Sequence, residues 1–385
     1  MTDKGHQIWR ELEACLALPH GQALTLPFAA YRDRSVFREE MRTVFLTDWL
    51  FVCAEQEIPD AGDYYALRVG PEPVVIIRGR DGVARAFANV CRHRGTQLLD
   101  DGFGRIDRRM VCPYHAWAYD DLGELQAVPF SKDSHVEREA HALVRFEVST
   151  WRGLLFVSLG DPPLSLEARV AHVDALLDFF DQGQLNAASP GPIELWHSNW
   201  KLIMENAMES YHLFKVHTDT LETITPTRGS YYVTGDSEAV LTGGGPPAKA
   251  DRLPSAVALE QHYLLVSLPP NFVGVLDGES LSWISVFPID AETSVVRSGG
   301  LTSNLNGYER TSTREFVLAF FAEDQAICER VQRSMGATLS RGGRLTEMER
   351  VVVNFHHYLG SRLFQQVRTD QFDDEMAAVY RDALA

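Results

Sequence analysis

Apolar positions change their spacing twice along this chain of 385 residues. Residues 1–45 read as helix, turn, helix. Phe37, Met41, Val44 and Phe45 form an apolar stripe at helical spacing, and Ser35 is placed to cap that helix. From about 46 to 160 the pattern becomes short apolar runs broken by Gly and Asp clusters. Trp49–Cys53, Tyr64–Val69, Val74–Arg78, Ala84–Asn89 and Leu154–Val157 read as strands. Pro59–Asp63 and Arg80-Asp81-Gly82 read as turns between them. This predicts a small all-β domain.

Near 160 the pattern changes again. Gly160-Asp161-Pro162-Pro163 reads as a linker. Ser165 then opens a helix with Leu166, Val170, Val173, Leu177 and Phe180 on one face. Ser189-Pro190-Gly191-Pro192 reads as a turn. Tyr231–Val233, Ala239–Thr242, His262–Ser267, Phe272–Leu276, Leu281–Pro288 and Ser294–Leu301 alternate as strands of a second sheet. Leu241–Ala256 is a Gly/Pro-rich loop without the G-x-G-x-x-G of a dinucleotide site. Helices follow from about Ser312 to Met335 and from Thr346, as cap, to Phe364. Asp370–Ala385 is acidic and reads as helical. The division expected is therefore 1–45 as N-terminal helices packing on the last segment, 46–160 as the β-domain and 161–385 as an α+β domain.

Composition narrows the partners. Lys and Arg number 36 against 53 Asp and Glu, a net charge of −17. Such a surface disfavours nucleic acid and anionic membranes. No stretch of about 18 consecutive apolar residues offers a membrane span, and the N-terminus lacks a signal-peptide pattern. The five cysteines (Cys15, Cys53, Cys91, Cys112 and Cys328) are too scattered for a disulfide framework. A reducing, cytoplasmic setting is expected.

The chemistry begins at Cys91–Trp117. Cys91-x-His93 and Cys112-x-x-His115 form two ligand pairs, each from one loop. A structural zinc knuckle is the plain alternative, but its pairs usually enclose two or more residues. The order Cys-x-His…Cys-x-x-His suits a [2Fe–2S] centre in which two cysteines hold one iron and two histidines the other. A second pattern lies in Asn199–His217, where Glu209, His212 and His217 read E-x₂-H-x₄-H. Two histidines and a remote carboxylate make the facial triad of non-haem Fe(II) oxygenases. On an ideal helix His212 and His217 stand about 140° apart, so the helix is expected to end or distort between them.

Both stretches resemble the Rieske non-haem iron oxygenases. The resemblance rests on Asn89-Val90-Cys91-Arg92-His93-Arg94-Gly95, on Cys112-Pro113-Tyr114-His115-Ala116-Trp117, and on Glu205-Asn206, Glu209, Tyr211-His212 and His217. It covers nearly the whole chain. Thr96 and Tyr114 stand where respiratory Rieske proteins carry an extra cysteine pair, which separates this chain from them. The resemblance implies an α+β fold, in which an all-β Rieske [2Fe–2S] domain precedes a helix-grip catalytic domain with a curved antiparallel sheet. It also implies an acidic third iron ligand on a late helix. Asp324 is the choice, with Glu323 as the alternative. His356 and His357 face different directions and read as packing or surface residues. Arg94, Tyr114 and Trp117 are expected to shield the cluster and tune its potential.

The implied activity is that of a terminal oxygenase, a monooxygenase rather than a dioxygenase. It would use O₂ and electrons from a separate NAD(P)H-dependent reductase, with or without a ferredoxin, to hydroxylate or demethylate a small substrate. Glu209 stands where aromatic-ring dioxygenases usually carry Asp. That resembles the choline, glycine betaine and carnitine oxygenases. Trp196, Trp200, Tyr211, Tyr231, Tyr232 and Trp283 are candidates for an aromatic cage around a quaternary ammonium group. Aromatic-ring hydroxylation is the alternative, and a non-catalytic electron carrier is the reading from another class. The family also implies a homotrimer, in which Glu209 links His212 to a cluster histidine of a neighbouring protomer.

Overall fold

The computed structural model describes residues 3–131, 136–177, 185–245, 263–277, 280–303 and 311–365. The chain divides into two compact units, Phe45–Pro163 and Met1–Val44 with Leu164–Ala385.

The unit Phe45–Pro163 is built on β1 (Leu50–Ala54), β2 (Asp63–Val69), β3 (Glu72–Arg78), β4 (Ala84–Ala88), β5 (Gly102–Arg105), β9 (Arg145–Trp151) and β10 (Leu154–Ser158). They form one sheet in the order β1-β10-β9-β4-β3-β2-β5, with antiparallel neighbours. A ribbon of β6 (Met110–Val111), β7 (Ala118–Tyr119) and β8 (Leu125–Ala127) accompanies it. Val75, Ile77, Phe87, Met110, Trp117 and Leu125 pack into one core that also takes in Cys91 and Cys112. Of the strands absent from the sequence reading, β5 to β8 are two to four residues long, too short to show a period of two, whereas β9 alternates through Arg145-Phe146-Glu147-Val148-Ser149 and was missed all the same. At the Pro59–Asp63 turn, Gly62 has φ +91° and a Cβ there would stand 2.3 Å from the Ile106 carbonyl oxygen. Only glycine fits that approach.

The other unit opens with α1 (Asp3–Leu16) and α2 (Arg34–Glu40). The cap of α2 is Asp33, not Ser35. The Asp33 carboxylate accepts the N–H groups of Ser35 at 2.8 Å and Val36 at 3.2 Å. A carboxylate two residues earlier reaches the free amides of the first turn, which leaves Ser35 inside the helix. Ser165 does cap α3 (Leu166–Asp174), accepting from the Ala168 N–H.

The sheet of this unit contains β11 (Ala187–Trp196), β12 (Tyr231–Gly235), β13 (Val240–Gly244), β14 (Tyr263–Leu268), β15 (Phe272–Leu276), β16 (Ser280–Asp290) and β17 (Thr293–Thr302). Strands β12 to β17 meander as antiparallel neighbours, and β11 joins at the edge beside β17. Ser189–Pro192 therefore lies within a strand and is not the turn expected. Its pairing slips between Pro190 and Ile193. An edge strand tolerates proline because one row of its N–H groups has no ladder partner to lose. The sheet grips α4 (Trp200–Met208), which packs on β14, β15 and β16 and on two further helices, α6 (Thr311–Ser334) and α7 (Arg350–Phe364). A one-turn helix, α5 (Leu213–Val216), follows α4. Thr346 does not cap α7 directly: it precedes a 3-10 turn, Glu347–Glu349, where its N–H donates to Glu349 Oε2 at 2.7 Å, and Glu349 stands at the N-cap of α7. This is the α+β, helix-grip architecture expected. Of the Leu241–Ala256 loop, Leu241–Gly244 belong to β13. The residues from 246, and the segment Asp370–Ala385, lie outside the described residues.

Candidate metal centres

In the β-unit the two Cys/His loops close in the same way. The Cys91 N–H donates to the Thr96 carbonyl and the Cys91 carbonyl accepts from the Gly95 N–H. The Cys112 N–H donates to the Trp117 carbonyl and the Cys112 carbonyl accepts from the Ala116 N–H. Gly95 (φ +75°) and Ala116 (φ +56°) occupy the equivalent left-handed position. His93 and His115 come together with ring centroids 4.8 Å apart. Trp117 stacks on His93 at 4.7 Å and 7°, and Tyr114 lies tilted against His115 at 3.7 Å. Arg94 is exposed.

These residues fit a histidine-ligated [2Fe–2S] cluster. The Nδ1 atom of His115 is buried and has no hydrogen-bond partner, as a ring nitrogen reserved for a metal would be. Burial opposes charge on the Cys112 thiol, yet the Tyr114 and His115 amides that reach its sulfur hold it below its ordinary value. Burial pushes Cys91 up. One hydroxyl that sequence reasoning missed lies here. The Tyr119 oxygen accepts the Arg92 N–H at 3.0 Å and sits 3.5 Å from Cys91 Sγ. A tyrosine in a two-residue strand gave no signal of that role.

In the other unit His212, His217 and Asp324 converge, with one ligand atom from each all lying within 4.8 Å of one another. His217 Nε2 is 3.2 Å from His212 Nε2 and 3.0 Å from Asp324 Oδ1. His212 Nε2 is 3.4 Å from the same oxygen. Ligand atoms at about 2.1 Å from an octahedral ion, at right angles, stand about 3 Å apart. The three atoms match one face of such an ion. Their outward nitrogens are held by carboxylates. His212 Nδ1 donates to Glu209 Oε1 at 2.6 Å and His217 Nδ1 to Glu323 Oε2 at 2.7 Å. Carboxylates only accept, so each ring carries its hydrogen on Nδ1 and turns Nε2 to the centre.

Burial alone would lower the His212 pKa, but hydrogen bonds to Asp324 and Glu209 carry it up to about 10 in the metal-free chain. Burial likewise opposes charge on Asp324, and the two imidazoles hold its carboxyl below the ordinary value.

The expected break between His212 and His217 falls earlier. Helix α4 ends at Met208 and Glu209 is extended (φ −113°, ψ 162°). His212 then forms the N-terminal boundary of α5 and His217 its C-terminal one. Glu209 Oε2 takes the Tyr211 and His212 N–H groups, so its own carboxylate stabilises the break. Glu323 and Asp324 serve opposite edges of the His217 ring. Asn206 also reaches the centre, with Nδ2 3.0 Å from His212 Nε2 and 3.2 Å from Asp324 Oδ1. Its Oδ1 accepts from the Cys328 thiol at 3.0 Å. Helix α6 is pinned beside α4 through Gln332 Oε1, which accepts the Asn199 N–H at 2.9 Å.

His356 donates to Glu205 and His357 to the Leu18 carbonyl, and both are buried. Of the aromatic-cage candidates, Trp196, Trp200 and Trp283 are core residues. The Trp200 indole is committed to Glu40, and Tyr232 to Asn354. Tyr211 is partly exposed beside Phe214. No disulfide joins any of the five cysteines. No described helix is long and apolar enough to cross a membrane.

Comparison with known proteins bears on both centres. Residues 48–147 match the Rieske [2Fe-2S] domain, and residues 185–365 match the ring hydroxylating alpha subunit (catalytic domain). The carnitine monooxygenase oxygenase subunit of Acinetobacter baumannii is 30% identical over 353 residues, covering 87% of this chain and 92% of that protein. The glycine betaine monooxygenase oxygenase subunit of Chromohalobacter salexigens is 36% identical over 200 residues. That match covers 52% of this chain and spans 44% of the relative's length. A crystal structure of a quaternary ammonium Rieske monooxygenase with γ-butyrobetaine superposes with a TM-score of 0.76 at 25% identity, over 91% of this chain and 98% of that one.

Proposed function

Because the chain belongs to the Rieske-type ring-hydroxylating oxygenases, we propose that it is a terminal monooxygenase acting on a small quaternary ammonium compound. The family's two domains carry a [2Fe–2S] cluster and a mononuclear iron. When bound, they supply a one-electron store and a centre that activates O₂. Cys91, Cys112, His93 and His115 would hold the cluster, and His212, His217 and Asp324 the mononuclear iron. The observation that carries this reading is the carboxylate-backed triad in the same chain as the paired cluster loops. A simple electron carrier has no use for a three-sided site that leaves positions open.

Glu209 orients His212 through the 2.6 Å contact. In the same reading it also meets a cluster histidine of a neighbouring protomer in a closed homotrimer, since a head-to-tail contact closes only when every interface is the same. Electrons come from a separate NAD(P)H-dependent reductase, with or without a ferredoxin, and the protein works in the cytoplasm. The substrate class rests on the relatives that act on carnitine and glycine betaine and on Glu209 itself.

The test is substrate-dependent O₂ consumption with a surrogate reductase, across betaines, carnitine-like amines and aromatic acids. Turnover of quaternary amines, with poor coupling for neutral isosteres, is expected. Turnover of benzoate-like acids alone would make it an aromatic hydroxylase. Reduction of the cluster with no O₂ use under any substrate would make it a carrier.

A further inference from the structure

The two triad histidines are backed differently. Glu209 sits three residues from the ring it holds. Glu323 reaches the His217 ring from another element, α6, one residue before Asp324 on the opposite edge of the same ring. Oxygen Oε2 of Glu323 takes two short hydrogen bonds, from His217 Nδ1 at 2.7 Å and from Thr220 Oγ1 at 2.6 Å. Thr220 is placed for this by the turn after α5, where its N–H donates to the His217 carbonyl at 3.1 Å. Its residue is buried, and the His217 side chain is fully enclosed.

From this arrangement we propose that Glu323, aided by Thr220, is the positioning residue for His217, fixing the tautomer and plane in which Nε2 faces the metal. An imidazole has two nitrogens, and only the one without hydrogen can bind an ion. With no acceptor at Nδ1 the enclosed ring can place its hydrogen on Nε2, where Asp324 Oδ1 accepts it at 3.0 Å. That tautomer closes the site to metal. Glu323 biases the ring the other way, and Thr220 keeps the acceptor oxygen pointed at Nδ1. Asp324 and Glu323 thus divide the labour of adjacent acidic residues: one at the metal edge of the ring, one at the outer edge.

This inference rests on the mononuclear-iron reading above. The experiment uses the full chain with its cluster intact and the mononuclear iron removed by a chelator, titrated with Co(II) and followed by its visible absorption. Wild type should bind one Co(II), and His212→Ala none. If wild type takes up none, the mononuclear-iron reading itself fails. Given those controls, Glu323→Ala should weaken Co(II) by about 10- to 100-fold, the range seen when the outer partner of a ligating histidine is lost. Its cobalt bands should shift, since the ring is no longer held. Glu323→Gln retains one oxygen able to accept from both donors, so it should recover most of that loss. Thr220→Val should weaken binding less than Glu323→Ala, with an unchanged cluster spectrum. Glu323→Ala and Thr220→Val both binding Co(II) within twofold of wild type, with unshifted bands, would overturn the proposal. So would a Gln variant as weak as the Ala variant with Thr220→Val unaffected.

Discussion

Glu209 Oε1 lies 2.6 Å from His212 Nδ1, while its other oxygen holds the N–H groups that begin the next helical turn. One side chain thus both ends α4 and aims a ligand. Glu209→Gln preserves the shape and removes the charge. The variant should keep both metal sites and a reducible cluster, while turnover falls by about 10- to 100-fold. Iron analysis, the cluster's spin signal and O₂ uptake on the same preparation check this. Near-normal turnover would remove Glu209 from the route between the centres.

Metal content follows from the two ligand sets. About three irons per chain are expected, two in the cluster and one mononuclear. Cys91→Ser should abolish the spin signal of the reduced [2Fe–2S] centre. His212→Ala should leave that signal intact and remove the third iron. Stoichiometric zinc with no such signal would contradict both halves.

A stability prediction concerns Glu40 and Lys201. Their side chains are 2.6 Å apart and each is 1% exposed. Glu40 also accepts the Trp200 indole N–H at 2.8 Å, joining α2 to α4. Lys201→Met strands a buried carboxylate and should cost about 3–5 kcal/mol. Replacing both, as Glu40→Leu with Lys201→Met, should recover much of that loss, because two desolvated charges go with the bond. Urea denaturation of the three proteins measures the difference.

Ala116 offers a backbone test. Its φ of +56° is one that a side chain resists. Ala116→Gly should preserve the cluster and be neutral or stabilising by up to about 1 kcal/mol. Ala116→Val places a branched side chain at the same angle and should lower cluster occupancy. Visible absorbance per chain and thermal midpoint report the two effects.

Local spacing made the centres legible. The cluster pairs lie within single loops, and their spacing alone pointed to a metal; Glu209, His212 and His217 lie within one short stretch, but that pattern is weak by itself and gained its weight from the cluster pairs upstream and the family resemblance. What sequence could not fix depended on contacts between distant segments. Asp324 and Glu323 are neighbours of equal chemistry, and only the placement of α6 against α4 assigns each an edge of His217. The position of the helix break was missed because ideal helical angles locate a conflict, whereas the Glu209 side chain decides where it is relieved. Asp33 won the cap from Ser35 in the same manner, by reach and charge. Most long strands were visible as apolar runs bounded by turn residues. Those of two to four residues were not, and β11 was hidden by prolines that an edge strand accepts.

The repeated closure of the cluster loops has an electrical consequence. In both loops the cysteine stands at the first corner, with residue exposures of 2% and 3%. The histidine follows on the outward limb, with His93 exposed and His115 partly so. A fixed turn, with the ligand register advanced by one residue in the second copy, therefore gives the pair of loops a polarity: sulfur at the blind end, nitrogen at the open end. A cluster held by these four residues would therefore meet a redox partner through its imidazole end.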